Sequence, residues 1–350
     1  MAARFRVVDA GRLSGRENIA LDSALIEARL AGEIGDTLRF ITFEPCALIG
    51  RHQDLAQELN LEACRERGVQ TVRRMSGGGA IFMDEGQLGW ALVCDRRVLG
   101  TATLPDVTEK ICTAIAAGIS KLGVDARFRP RNDIEIEGRK VSGTGGFFDG
   151  NILIFQGTVI LDIDPAAMMA VLNVPQAKLE KRQLADAGAR VTSLKAELGE
   201  MPSLEAVKAA LLEGLAEVLD IEAVPEELSE REKQLAKEAF DEEIGREEFV
   251  AEICDPAREA GVFAGQNAAR NLTAYLRVDG QQDNRIREVL FVGDVFVTPT
   301  RALLDLESQL RWAQLADVPA KVEAFFADPA ISMLGLTPAD FSDAIADAAP

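Results

Sequence analysis

Arg73 and Arg74 are followed, after Met75-Ser76, by three consecutive glycines, Gly77-Gly78-Gly79, and the chain then runs into the apolar Ala80-Ile81-Phe82. Glycines carry no Cβ and tolerate φ > 0, so such a loop wraps a carboxylate or phosphate with its backbone N–H groups. The chemistry that fits is recognition of an anion with an apolar tail. An ordinary turn beside a surface arginine pair reads equally well from this segment alone. A second cluster lies further along: Asn132-Asp133, a turn at Glu137-Gly138, then Arg139-Lys140 and the glycine-rich Gly143-Thr144-Gly145-Gly146. A lysine so placed is a positioned point charge. If its hairpin packs beside the first loop, Lys140 and Arg74 converge on one ligand, and two anion loops together imply a nucleotide site. Neither loop is a Walker A or Rossmann fingerprint.

The rest of the composition narrows the chemistry. His52 is the single histidine of 350 residues, which removes histidine-built metal sites and Ser-His-Asp triads. Five cysteines (46, 64, 94, 112 and 254) lack CxxC or paired spacing and read as reduced, mostly buried thiols. A net charge of −19 argues against nucleic acid as a partner. Residues 196 to 260 hold 20 Asp/Glu against 6 Lys/Arg, a stretch read as a solvated face of surface helices. No apolar run has the length of a membrane span or a signal peptide, so a cytoplasmic protein is expected.

Elements must position these groups. Periodicity predicts a helix over 18–30, a strand over 37–49, a short helix over 55–67 and a strand over 69–74 leading into the glycines. A strand over 88–94 and a helix carrying Val107, Ile111, Ile115, Ile119 and Leu122 follow. Residues 151–163 read as one long strand: Leu153, Phe155, Val159 and Leu161 share one face, and Gln156 and Thr158 lie side by side on the other. That second face reads as a pocket lining or as a partly exposed sheet surface. Further helices are predicted from Asp164-Pro165, over 203–219 and from the capping box Ser229/Glu232, with strands over 273–278 and 286–292 and a helix opened by Thr298-Pro299. The change of character after Pro225 marks a domain boundary.

Leu48-Ile49-Gly50-Arg51-His52-Gln53, Leu59-Asn60-Leu61-Glu62, Val72 through Phe82, Asn132-Asp133 with Gly138 through Gly143, Gly157-Thr158, and Arg190-Val191-Thr192-Ser193-Leu194 follow one another in a specific order. In these motifs residues 15 to 200 resemble the lipoate-protein ligases. Residues 265 to 300, with Arg277-Val278-Asp279 and Gly293-Asp294-Val295-Phe296, resemble more weakly that family's accessory domain. The resemblance implies an α+β fold shared with biotin ligases: a catalytic domain over 1–225 with a mixed β-sheet flanked by helices, and a small α/β accessory domain over 226–350. It implies condensation of lipoate with ATP, aided by Mg2+, to lipoyl-AMP, and transfer of the acyl group to a lysine of a carrier. That carrier would be a glycine-cleavage H protein, a 2-oxoacid dehydrogenase acyltransferase domain or a specialised lipoate-binding protein, docking near residues 127 to 140. A monomeric enzyme is expected.

By motif position, Arg74, Gly79, Ala80, Ile81 and Phe82 would contact ATP or the adenylate, and Gly77 and Gly78 would shape the lipoyl channel. Lys140 would be the central contact to both substrates. Asn132 and Asp133 would lie near phosphates and metal, Asp133 facing the metal because magnesium prefers carboxylate and phosphate oxygens. Two positions depart from the pattern: Met83 and Gln156 stand where the family usually has histidine. His52, where asparagine is common, reads as structural. Three alternatives are weighed. An octanoyl or lipoyl transferase of the same fold would use a cysteine thioester and no ATP, but residues 128–132 beside the lysine motif hold no cysteine, and Cys94 and Cys112 are the nearest. A biotin ligase would carry a basic GRGRRG-type loop, which is absent. A non-catalytic binding protein would have no need of Arg74, the glycines and Lys140 together.

Overall fold

The computed structural model describes residues 2–100, 103–173, 190–267, 270–279 and 284–350. An eight-stranded mixed sheet runs in the order Ile221–Pro225, Ala3–Leu13, Thr37–Phe43, Gln87–Asp95, Ile152–Ile160, Arg139–Asp149, Asp133–Ile136 and Ala126–Arg129. Ala3–Leu13 pairs in parallel with both of its neighbours, and the remaining pairs are antiparallel. Helices flank it, as an α+β chain requires.

One face of the sheet packs on helices Leu104–Ser120 and Leu204–Leu219, and there Leu153, Phe155, Val159 and Leu161 enter the main core, as their period predicts. The two helices cross closely because Gly118 and Gly214 meet at the contact: a Cβ on Gly214 would come within 2.4 Å of the Ala114 carbonyl oxygen. The other face is covered by helix Gly15–Leu30, whose Ser14/Glu17 capping box fixes its start. Its Leu21 and Leu25 pack on Ile152 and Ile154.

Three local predictions are corrected. The strand over 37–49 is two strands, because Pro45 has no N–H for the ladder and turns the chain out of the sheet. Its second half, Cys46–Ile49, joins a separate three-stranded sheet with Gln70–Arg73 and Ile81–Met83. The helix over 55–67 is likewise two, since Asn60 caps a new start by accepting from the Ala63 N–H. The glycine-rich segment 143–146 is not a loop. It lies within strand Arg139–Asp149, paired with Asp133–Ile136 and with Ile152–Ile160.

After the edge strand Ile221–Pro225, helix Glu230–Ala239 packs on helix Gly15–Leu30 through Leu235, Ala24 and Ala28. Most of the acidic side chains there face solvent, but Glu232 is buried against Arg6 at 2.9 Å. A second core gathers the antiparallel sheet Phe263–Asn267, Leu272–Asp279 and Arg285–Gly293 with helices Ala302–Leu310, Val318–Phe326 and Pro338–Ala348. No helix among the described residues is long and apolar enough to cross a membrane.

Within that second core Glu307 accepts a hydrogen bond from the Phe291 N–H at 2.8 Å, and burial pushes its carboxyl up to about 7. The unfolded chain releases this proton near the ordinary value of 4.5, whereas the folded chain keeps it to about pH 7. Stability is therefore lost as pH rises through that window and is flat above it. Glu307→Gln keeps the acceptor and removes the titration. Its melting temperature should match wild type near pH 4.5 and exceed it at pH 8, by a stability gain on the order of 1–3 kcal/mol; an equal difference at both pH values would contradict the assignment.

Candidate functional site

Strand Gln70–Arg73 delivers two guanidiniums to the first glycine loop, and they turn in opposite directions. Arg73 is fully buried and donates to the carbonyls of Gly50, Arg51 and Gln53 on one side and of Phe249, Val250 and Ile253 on the other. It is a backbone clamp, which corrects its reading as half of an arginine pair facing a ligand. Arg74 points into the loop, donating to the Gly77 carbonyl at 2.7 Å and the Gly79 carbonyl at 2.8 Å. Burial draws the Arg74 guanidinium down to about 10, against the opposing pull of Asp294 and Glu58, so it stays charged at neutral pH.

The second cluster stands across a cavity of about 850 Å³. The Lys140 Nζ lies 2.6 Å from Asp133, which also accepts from Arg129 at 2.7 Å. Burial works to raise Asp133, yet the two cations hold it below the ordinary carboxylate value. Gly143 leaves room for the lysine, since a Cβ there would come within 2.7 Å of Nζ. Asn132 is tied to the Thr144 backbone, with Thr144 N–H donating back at 2.9 Å. Nine of the ten predicted residues line this one cavity: Arg74, Gly77, Gly79, Ala80, Ile81, Phe82, Asn132, Asp133 and Lys140. Gly78, with φ +92, is covered instead by the Phe296 ring.

That ring belongs to a segment whose role the motifs did not foretell. Gly293 through Phe296 docks between the two glycine-bearing segments. A Cβ on Gly77 would meet the Val295 carbonyl oxygen at 1.8 Å, and Cβ atoms on Gly78 and Gly145 would meet the Phe296 ring at 2.3 and 2.4 Å. Gln53 donates to Asp294 at 2.8 Å, placing that carboxylate beside Gly79 and Arg74. These glycines therefore also make space for the protein's own backbone and side chains. The sequence marked Gly293-Asp294-Val295-Phe296 only as part of the accessory-domain resemblance, with no sign that it docks on the glycines.

The inner wall of the cavity follows strand Ile152–Ile160, where Gln156 and Thr158 both face inward. Gln156 donates to the buried Asp22, which pairs with the buried Arg39, and accepts from the Ser76 hydroxyl at 3.4 Å. Burial outweighs Arg39 and pushes the Asp22 carboxyl up. Around this polar group the wall is apolar, with Ile19, Ile41, Phe43 and Trp90. The Trp90 indole nitrogen is buried with no partner among the described residues. Met83 is 1% exposed and packs with Ile19, Phe43 and Leu48, an apolar position in this chain.

No thiol joins the cavity wall. Cys46, Cys64, Cys94 and Cys112 are buried, and burial raises each of them. Cys112 lies 3.2 Å from the hydroxyl of the wall residue Thr144, but is fully buried and pushed up to about 12. His52 is buried, its imidazole drawn down to about 4 by burial and by Arg51 and Arg73.

Residues 14–216 match the lipoyl protein ligase A/B catalytic domain. The chain is 29% identical to octanoyltransferase LipM of Symbiobacterium thermophilum over 268 residues, 70% of this chain and 97% of that one. It is 29% identical to lipoate-protein ligase LplJ of Bacillus subtilis over 208 residues, 58% of this chain and 62% of the other. The crystal structure of P. falciparum LipL1 in complex with lipoate superposes with a TM-score of 0.73 at 14% identity, covering 98% of each chain, a likeness of fold.

The slot around Phe296 makes a quantitative prediction. Gly145→Ala pushes a methyl group into the ring and should cost about 1–3 kcal/mol in stability. In a Phe296→Ala background the same methyl group has space, so a double-mutant cycle read by denaturant unfolding should show a coupling of at least about 0.5 kcal/mol; strict additivity would mean the ring does not occupy that slot.

Proposed function

The chain belongs to the lipoyl protein ligase A/B catalytic-domain family, and from that premise we propose that it is an ATP-dependent lipoate-protein ligase. It activates lipoate to lipoyl-AMP and transfers the lipoyl group to a lysine of a carrier protein. The observation that favours a ligase over a thioester-forming transferase is the state of the thiols. All five cysteines lie off the cavity wall, and the one nearest the lysine cluster is a buried, protonated thiol. A ligase needs no nucleophile of its own, because the attacking groups belong to its two acyl partners.

In this reading a carboxylate oxygen of lipoate attacks the α-phosphorus of ATP and the bond to pyrophosphate breaks. The carrier amine then attacks the acyl carbonyl, AMP leaves, and the surplus proton of the amine passes to solvent. Lys140, on the cavity wall, would hold the carboxylate and α-phosphate together, contributing charge and orientation. Arg74 keeps the carbonyls of Gly77 and Gly79 turned toward itself, which leaves the backbone from Gly79 to Phe82 to meet the nucleotide. Gly77 and Gly78 shape the channel for the acyl chain. Magnesium would neutralise phosphate charge. Asp133, with Asn132 beside it, fits as a single carboxylate ligand, and the described residues hold no cluster of three acidic or other metal-binding side chains, so the phosphates would supply most of the coordination.

The carrier is proposed to be a lipoyl domain of the H-protein or acyltransferase type, docking near residues 127 to 140, in a cytoplasmic setting. The second reading, an octanoyltransferase, is favoured by the similarity to the Symbiobacterium LipM over nearly its whole length. Pyrophosphate release separates the two. With free lipoate and ATP the purified protein should release pyrophosphate. Lys140→Ala should lower that rate by about 100-fold or more with the circular dichroism spectrum unchanged, while Cys112→Ser should stay within about twofold of wild type. Acyl transfer that proceeds only from a thioester and without ATP would overturn the ligase.

A further inference from the structure

Among the described residues four cations line the cavity, and three are already committed. Arg74 donates to the Gly77 and Gly79 carbonyls, Lys140 is paired with Asp133, and Arg270 is paired with Asp340 at 3.3 Å. Arg131 is the fourth. It makes no hydrogen bond or ion pair with any described residue, and its side chain reaches from the turn between strands Ala126–Arg129 and Asp133–Ile136 toward Gly335 of the second core, where a Cβ would lie 3.4 Å from its Cδ. The backbone carrying it has φ +128, a region that favours glycine and is strained for any residue with a Cβ. A strained turn with an uncommitted guanidinium aimed into a cavity, directly before Asn132, is the arrangement expected of a ligand-binding group.

We propose that Arg131 binds the polyphosphate of the nucleotide substrate, its planar fork gripping two phosphate oxygens at once. This rests on the ATP-dependent reading above. Arg131 lies next to Asn132 and Asp133 on the wall of the cavity that Arg74 and Gly79 also line, so its guanidinium can take an anion there without leaving a partner among the described residues. In a chain of net charge −19 that local positive group also offsets repulsion of an incoming polyanion.

The test is Arg131→Gly, which removes the guanidinium and relieves the backbone, with Arg131→Lys keeping charge but not the fork. ATP affinity is measured by equilibrium dialysis, and KM values for ATP, lipoate and carrier by pyrophosphate release. Arg131→Gly should weaken ATP binding by about tenfold or more, leave the KM for lipoate within about twofold, and melt at or above the wild-type temperature. Arg131→Lys should fall between the two. An Arg131→Gly enzyme with wild-type ATP affinity, or one whose loss appears only in the KM for the carrier, would overturn the assignment while leaving the ligase intact. Absence of ATP binding by the wild-type protein would instead remove the ligase reading, and Arg131's assignment with it.

Discussion

The site depends on one buried cation. Arg73 closes the strand that enters the glycine loop, and its guanidinium gathers carbonyl oxygens from the turn at residues 50–53 and from the chain at 249–253. Burial draws it down to about 10, which leaves it charged at neutral pH. A buried charge with few partners costs several kcal/mol, and a ring of charge-assisted hydrogen bonds offsets that cost. Because this cation cannot give up its carbonyls cheaply, the direction of the chain at residue 73 is fixed. Arg74 must then point the other way, into the loop, and that sets which carbonyls turn inward and which N–H groups remain for a ligand.

The same clamp ties distant parts of the sequence into one wall. Residues 249–253 are held against the turn at 50–53, and from that turn Gln53 reaches Asp294 while the His52 carbonyl accepts from the Gly293 N–H at 2.9 Å. The segment from Gly293 to Phe296 is thereby carried onto the glycines of both motifs. Glycine at these places answers two demands: exposed backbone for a ligand and clearance for the protein's own aromatic ring. A sequence displays only the missing side chain, so the demand made by the distant segment is hidden in it.

Periodic features were legible because they report local geometry. The alternation over 151–163 put Leu153 and Phe155 in the core and Gln156 and Thr158 on the cavity wall, and the Ser229/Glu232 capping box starts its helix as its spacing implies. The motif order brought the two clusters together around one cavity, for the tertiary pairing of strands Arg139–Asp149 and Ile152–Ile160 is itself written in alternating residues. What stayed hidden was that Arg73 clamps distant backbone carbonyls, that Pro45 splits a strand between two sheets, and that Arg131 has no partner among the described residues. Each depends on a contact with residues distant in the sequence, or on a backbone angle that local propensity does not encode.

A chain whose one histidine is buried and neutral, and whose four buried thiols are all raised by burial, draws little on imidazole or thiol chemistry. Its resources are fixed charges and oriented backbone dipoles, and these suit reactions in which negative charge is redistributed over phosphate and carbonyl oxygens. The cost is that cations near such a site are readily neutralised by the chain's own carboxylates, as Lys140 is by Asp133. Sharing Asp133 with Arg129 moderates this, because a carboxylate divided between two cations grips each less firmly than it would one. The arrangement keeps the lysine placed while leaving it free to turn toward a better anion when one arrives.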